Sequence, residues 1–554
     1  MALSLWAQAG SPAKSRVGAH EPAASEAAVQ AGQAIFLRGI LGSGAPLQAV
    51  REGGVQGATG AGAACVNCHQ HSGLGSTHQS QGLRAGAAAN QIPPIAGRYL
   101  FERNAGHEAA NLPYVDGMRS NRSPYTPDTL ARALREGIDA DGRKLNNLMP
   151  HFEIGDEDLT SLIAYLNTLY PAHVPGVSPG VLHFATIITP EVEPAQRAAM
   201  LEVMQKFIAE RNARQMVPSA PLRASGHTQY SRSMFMVHRQ WELHVWDLTG
   251  PPSSWGEQLD QHFAREPVLA VISGLGHNWT PVHAFCERQR LACLFPNVEV
   301  PVDKPGDFYE LYLSRGVLLE AGLIGAGLTG PTSDAPIKTV QQIYRAGDSG
   351  EAGAKALGEA LRSRGIEVRD AVLGKADASP ASALHAASGA DALVLWLRPA
   401  DLAALGDVSA APARVYMSGQ LGGLEYSPLP APWRERTRMA YPYDLPDKRI
   451  VRVDYPLGWF RIRGIKVVDE QMQADTYLAC GLVSEALNDM VDAFYGPYLI
   501  EILQSMVEHR IVTGYYPRLS LAENQHFASK GGYLVRFKES TGRKLVADRD
   551  WITP

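Results

Sequence analysis

The chain has 554 residues, enough for two to four domains, and its 45% hydrophobic and 19% charged content is that of an ordinary globular protein with ample core. A formal net charge of −5 gives no electrostatic footing for nucleic acid, no Lys/Arg run points to an anionic membrane surface, and no apolar run is long enough to cross a bilayer.

The chain starts Met1-Ala2-Leu3-Ser4-Leu5-Trp6-Ala7-Gln8-Ala9, with no basic n-region but with a small-x-small sequence, Ala7-Gln8-Ala9, of the form cut by signal peptidases. Residues 1–25 therefore read as a tail, the remnant of an incomplete signal peptide. Next comes Cys65-Val66-Asn67-Cys68-His69. Two thiols three positions apart can each form a thioether to a haem vinyl group, and the following histidine reaches one face of the iron. A redox dithiol or half a zinc site is the alternative, but no second cysteine pair completes a zinc set. Covalent haem attachment of this kind takes place outside the cytoplasm, so the motif and the tail both point to export.

A second axial ligand is expected at Met149, in Leu145-Asn146-Asn147-Leu148-Met149-Pro150, where a soft, neutral thioether would raise the iron's potential and close its sixth position. His71, His78, His107 and His151 compete with it. Thr126-Pro127-Asp128 predicts a helix start with Thr126 as N-cap, running to about Gly137. Asp156 is expected to cap another helix, with Leu159, Leu162, Ile163, Leu166 and Leu169 on one face. The haem motif, the Ile92–Gly97 stretch, the Met149-Pro150 pair and the terminal helix with Ala164-Tyr165-Leu166 together resemble a class I cytochrome c, over roughly residues 26–170. The resemblance implies an all-α domain with one haem c, thioethers at Cys65 and Cys68, and axial ligands His69 and Met149. It also implies a proline carbonyl, from Pro93 or Pro94, on the histidine Nδ1–H. The glycine-rich segment from about Gly42 to Ala64 departs from that pattern.

Residues 171–181 hold three prolines and two glycines without periodicity and read as a semi-rigid linker. From Val181 onward β-type runs alternate with helical ones: His183–Ile188, a helix through Met200, Met204 and Ile208, Leu243–Leu248, a helix near Trp255–Phe263, and Val268–Ile272 running into Ser273-Gly274-Leu275-Gly276. A strand at Val340–Tyr344 precedes Asp348-Ser349-Gly350-Glu351-Ala352-Gly353, and the strand Leu393–Trp396 ends in Leu397-Arg398-Pro399. This order resembles a type I periplasmic binding protein of the branched-chain amino acid kind, over about residues 182–554. The resemblance implies a two-lobed α/β fold with parallel sheets, lobe 1 covering about 182–336 and 455–510 and lobe 2 about 337–454 and 511–554. Its ligand cleft would draw on Ser273, Gly274, Gly276, Asn297, Ser349, Arg398, Gln420 and Tyr477, with backbone N–H groups at Ser273, Gly274 and Gly276 opening a helix toward an anion. Ser349 and Gln420 stand where amino-acid-binding relatives carry other residues, which argues against an α-amino-acid ligand.

Gly325–Gly330 matches a dinucleotide fingerprint but lacks the strand-to-helix context and is set aside. His238 and His244 flank Trp241 and are read as structural, with no third metal ligand in view. Cys286 and Cys293, seven apart, suit a disulfide in an oxidising compartment, while Cys480 reads as a packed free thiol. No nucleophile elbow, metal cluster or paired carboxylates point to an enzyme. The expectation is a periplasmic electron-transfer protein with one haem c, fused to a module that binds a small molecule or docks a redox partner such as a dehydrogenase or a respiratory chain component. The alternative is a solute receptor of an ABC-type uptake system, with the haem as a redox sensor.

Overall fold

A computed structural model describes residues 25–50, 57–75, 92–102, 122–215, 239–330, 336–374, 379–384, 389–490, 493–510 and 513–554. The tail expected at 1–25 lies outside them except for Ser25, as do His78, His107 and His238. The described chain divides into two compact units at Pro171/Ala172.

In the first unit the helices Glu26–Arg38 and Asp156–Leu166 pack closely. Gly32 permits this: a Cβ there would fall 1.9 Å from the Ser161 carbonyl oxygen. Phe36 and Tyr165 fill the remaining space with ring centroids 5.3 Å apart. The helix Pro127–Glu136 opens as its sequence dictates, with Thr126 accepting from Thr129 N and proline at the first turn, and it closes on Gly137 at φ 67°. Two local readings change. Gly155, not Asp156, is the N-cap of the terminal helix, and Asp156 is its first residue. The unit is not purely helical either: β1 (Gln48–Val50) pairs antiparallel with β2 (Ala58–Thr59) and with β3 (His151–Glu153). Parts of the glycine-rich departure thus have a structure of their own, a small sheet that joins residues 48–50 to 58–59 and to the segment just after Met149.

Among the described residues the second unit is built on two seven-stranded sheets. The first contains β4 (Val181–Ile188), β5 (Gln240–Asp247), β6 (Ala270–Ile272), β7 (Leu275–Gly276), β8 (Ala292–Leu294), β9 (Asn297–Val298) and β10 (Glu310–Leu311), and all its pairs are parallel. β6 and β7 are halves of one strand broken at Ser273-Gly274, where φ is 56° and 132°. β8 and β9 are broken likewise beside Phe295, at φ 56°. Helices on one face of the sheet bury Trp246, Trp255 and Trp279 with Phe285. Cys286 and Cys293 form a disulfide (S–S 2.03 Å) that joins the helix Thr280–Gln289 to β8.

The second sheet has the order β12-β11-β13-β14-β15-β16-β17, with β11 (Thr339–Arg345), β12 (Glu367–Leu373), β13 (Ala392–Trp396), β14 (Arg414–Ser418), β15 (Thr437–Tyr441), β16 (Tyr533–Phe537) and β17 (Leu545–Ala547). It is parallel through β15 and antiparallel from β15 to β17, so the expectation of parallel sheets holds for the first sheet and for five strands of the second. Tryptophan anchors it as well: Trp396 and Trp433 are fully buried. The Asp348–Gly353 stretch has its explanation here. The helix Ser349–Arg362 lies so close to Trp396 that a Cβ at Gly350 or Gly353 would come within 2.6 Å of it. These glycines serve packing.

The segment 171–181 differs from a free linker. A Cβ at Gly176 would lie 2.2 Å from Leu269 N, His183 N donates to Gly176 O (2.8 Å), and Val177 bridges Leu182, so its later half is laid down on the second unit.

Candidate functional site

In the first unit Cys65 precedes a single helical turn, Val66–His69, and both Cys65 and Cys68 are free thiols. Burial pushes the Cys65 thiol up to about 12. His69 is buried, and its Nδ1 lies 3.0 Å from the Pro93 carbonyl oxygen. The carbonyl is brought there by a backbone clasp: Ile95 N and Ala96 N donate to Gly73 O (2.7 and 3.2 Å), while Gly75, at φ 67°, admits Ile92 O within 2.2 Å of where its Cβ would be. Of the two prolines only Pro93 meets the histidine; Pro94 is buried beside it. With Nδ1–H fixed on a carbonyl, the ring presents Nε2 as its lone-pair donor. Burial also lowers the His69 pKa to about 4, which keeps the ring neutral, the form in which imidazole ligates a metal. Met149 is half-buried in a turn held by Met149 N→Asn146 O (2.9 Å) and Leu145 N→Gly137 O (2.7 Å). His151 lies in β3 with its Nε2 against Gly137, 2.5 Å from where a Cβ would be.

In the second unit the eight cleft candidates separate into distinct places. Ser273, wholly buried, meets Thr476 Oγ1 at 3.3 Å and accepts from Asn297 Nδ2 at 3.0 Å. Its N–H is bonded to Leu294 O (2.8 Å), and Leu275-Gly276 continue as β7, so this stretch does not open a helix toward an anion. The helix starts only at Thr280. Gly274 and Gly276 are close-approach positions against Trp279 and Thr189. Tyr477 is not beside Ser273: it packs with Phe207, Trp459 and Phe460. One residue along a helix turns the side chain by about 100°, which is why Thr476 and not Tyr477 reaches Ser273.

Ser349 and Arg398 do converge, on a residue that sequence reasoning missed. Arg398 donates bidentately to Glu299 (2.6 and 2.6 Å) and also to Asp348 (2.7 and 3.0 Å). Ser349 Oγ donates to Glu299 Oε2 at 2.6 Å, and His277 Nδ1 stands 3.1 Å from the same oxygen. Burial pushes the Glu299 carboxyl up, yet hydrogen bonds and charge from His277 and Arg398 outweigh it and hold the group far below its ordinary value. Glu299 follows β9 of the first sheet, whereas Arg398 and Asp348 follow β13 and β11 of the second, so this cluster pins the two sheets together. A cavity of about 1200 Å³ opens beside it, lined by Glu191, His277, Arg345, Asp348, Arg398 and Asp401 among others. Arg345 is paired with Asp401 (2.5 and 2.8 Å), and Glu191 accepts from His277 N and Asn278 N (3.0 and 3.3 Å).

Gln420 lies elsewhere. Its N–H and that of Gly419 donate to Glu320 Oε1 (both 2.9 Å), Ser418 bonds the other oxygen, and its side chain reaches Tyr443 OH at 2.6 Å. Burial pushes Glu320 up to about 8, and it likewise pushes Asp475, which accepts from Tyr516 at 3.1 Å, up to about 7. Neither carboxyl was singled out in the sequence, where nothing local distinguishes them from solvated acids.

His244, read as structural, has company: His183 and Glu242 share its face of the β4–β5 pair. Among the described residues no helix is long and apolar enough to cross a membrane.

No family model matches the chain, and no curated protein does. Solved structures similar to it include a fatty acid ABC transporter substrate-binding protein from Thermomonospora curvata, with 16% identity, a TM-score of 0.49, and coverage of 69% of this chain and 95% of that one. The branched-chain amino acid transporter substrate-binding protein LivJ from Streptococcus pneumoniae, in complex with isoleucine, has 13% identity and a TM-score of 0.46, covering 68% of this chain and 100% of that one. A solute-binding protein of an ABC transporter from Rhodopseudomonas palustris, in complex with 3,4-dihydroxybenzoic acid, has 12% identity and a TM-score of 0.47, covering 67% and 97%. The two-sheet architecture described above rests on its own strand order.

Two predictions follow from the geometry of the second unit. Arg398→Ala should destabilise more than Glu299→Gln, because it removes the one guanidinium that two carboxylates share. The double-mutant cycle in urea should show a coupling of about 1–3 kcal/mol. The buried acids set a pH dependence. Folding raises both pKa values, so their stabilisation is complete below the ordinary carboxyl range and is lost as pH rises through about 7 for Asp475 and about 8 for Glu320. Glu320→Gln, which keeps an acceptor for the two N–H groups and removes the ionisation, should flatten the fall in unfolding free energy between pH 5 and 8. The expected difference is on the order of 1.4 kcal/mol for each unit of displacement removed.

Proposed function

We propose that the chain is a periplasmic monohaem cytochrome c fused to a two-lobed solute-binding module, and that it carries electrons rather than catalysing a reaction. The observation that carries this reading is the buried His69, with its Nδ1 on the Pro93 carbonyl at 3.0 Å, directly after two free thiols three positions apart. In this reading Cys65 and Cys68 would hold the haem covalently, His69 Nε2 and the Met149 thioether would ligate its iron, and Pro93 would orient the histidine. A haem c bound there supplies a one-electron ferric/ferrous couple. The thioether, a soft neutral donor, would raise its potential, and two protein ligands would leave no position for oxygen or peroxide. The electron donor or acceptor in this reading is a periplasmic dehydrogenase or a respiratory chain component. The Cys286–Cys293 disulfide supports an exported protein, since such bonds persist in oxidising compartments.

The test is expression in a host able to attach c-type haem. One covalently bound haem per chain is expected by acid–acetone extraction and pyridine haemochrome, and Cys65→Ala/Cys68→Ala should abolish it. Met149→Ala should keep the covalent haem, lose the Met-to-iron charge-transfer band, lower the midpoint potential and admit carbon monoxide to the ferrous form. A chain made under those conditions without covalent haem would end this reading.

The cavity beside the Glu299–Arg398 cluster favours a second role for the same chain, recognition of a small solute between the sheets. Ser349 and Arg398 are already bonded to Glu299, which supports a ligand other than a free α-amino acid. A thermal-shift screen of small organic acids, amines and neutral polyols should yield a stabilising solute outside the amino acids, and Ala346→Trp, which places a bulky ring in the cavity wall, should weaken or remove the shift.

A further inference from the structure

β4 and β5 run parallel with His183 opposite Glu242 and Ala185 opposite His244. Residues two apart on a strand share a face, and so do partners across a parallel pair, so His183, Glu242 and His244 project together from one side of the sheet. Their donor atoms meet. His183 Nδ1 lies 3.1 Å from His244 Nε2, Glu242 Oε2 lies 3.7 Å from His183 Nδ1, and Glu242 Oε1 lies 3.9 Å from His244 Nε2. A tetrahedral ion with bonds of 2.0–2.2 Å holds its donors about 3.3 Å apart, so the two ring nitrogens already stand at about the separation zinc requires, while the carboxylate presents one oxygen toward each ring and must turn to bring a single oxygen to both.

The surroundings fit as well. His244 turns its other nitrogen, Nδ1, toward Glu266 Oε2 at 3.5 Å, and Glu266 is itself fixed by the Trp246 indole N–H at 3.2 Å. A carboxylate behind a ligating histidine sets the ring's tautomer and raises its basicity. The rings are stacked with centroids 5.3 Å apart. Two imidazoles with nitrogens 3.1 Å apart could share one proton, but that bond would leave the Glu242 carboxylate facing both rings with no cation between them. Glu242 is the most exposed of the three, its side chain 56% accessible, so a fourth coordination position faces solvent. His183 and Glu242 lie toward the N-terminal ends of their strands and His244 lies mid-strand, whereas the cavity residues Glu191 and His277 follow the C-terminal ends of β4 and β7. The site is therefore distinct from the cavity.

We propose that His183, Glu242 and His244 bind one zinc(II) ion, which pins β5 at the sheet edge to β4 and keeps one open coordination position. Glu266 acts as a positioning residue through His244.

The test uses the full chain, freed of metal by dialysis against a chelator and titrated with zinc chloride against a chromophoric competitor. One tight equivalent is expected, with a rise in Tm on zinc addition. His183→Ala and His244→Ala should each lose that equivalent and its Tm increment, and Glu266→Gln should keep the stoichiometry but weaken affinity about tenfold. Circular dichroism confirms that each variant is folded, and His244→Gln, which keeps most of the side-chain volume, serves if His244→Ala is not. Zinc uptake unchanged in the folded double variant His183→Ala/His244→Ala would overturn the proposal, as would no tight equivalent in the native chain, or an equivalent taken by copper(II) but not by zinc.

Discussion

A guanidinium held between carboxylates from two different sheets is the interaction on which the arrangement of the second unit depends. Arg398 grips both oxygens of Glu299 across the gap and Asp348 on its own side, and Ser349 and His277 add two further partners to one of the Glu299 oxygens. Partly buried charges are tolerated only when geometry and hydrogen bonds compensate for lost water, and here each group has at least two partners. Everything near the gap is arranged around this. The cavity is bounded by the same residues, and Arg345–Asp401 and the amide-bound Glu191 complete a wall in which every described charge is already engaged. A solute entering there meets side chains that must exchange one partner for another.

The broken strands of the first sheet serve the same region. A continuous strand would send Ser273 and Asn297 to fixed alternating faces. The positive φ angles at Ser273, Gly274 and Phe295 instead interrupt both strands at one level, and Ser273, Asn297 and Thr476 meet in a buried polar knot. Glu320 and Asp475 are further buried carboxyls of this unit, each held by hydroxyl or amide donors rather than by a cation.

How much of this was legible in the sequence depended on range. The histidine after the cysteine pair, the Thr126 cap and the βα alternation are written in neighbouring residues, because attachment spacing, capping and side-chain periodicity are local. Arg398 could be singled out from its place after a strand, but its partners lie 50 and 99 positions away, and nothing near Glu299 marks it. The Ser273–Gly276 stretch misled for a related reason. Its glycines were read as an anion loop, while the requirement they meet is close passage of Trp279 and Thr189, side chains invisible from the local pattern. Tyr477 and Thr476 show the finest limit: adjacent positions on one helix separate into an apolar cluster and a polar knot, and only the helix's rotation against the sheet decides which. His244 lacked its companions for the same reason, since His183 lies 61 residues upstream.

The distribution of tryptophan gives the molecule a built-in division of optical signals. Eight of the nine indoles lie between Trp241 and Trp551, none lies between residues 25 and 171, and five are fully buried across the two sheets. Intrinsic fluorescence therefore reports on the two-sheet unit. Visible absorbance of the proposed haem would report on the other. The melting of each unit can be followed separately in one sample, without labels and without cutting the chain.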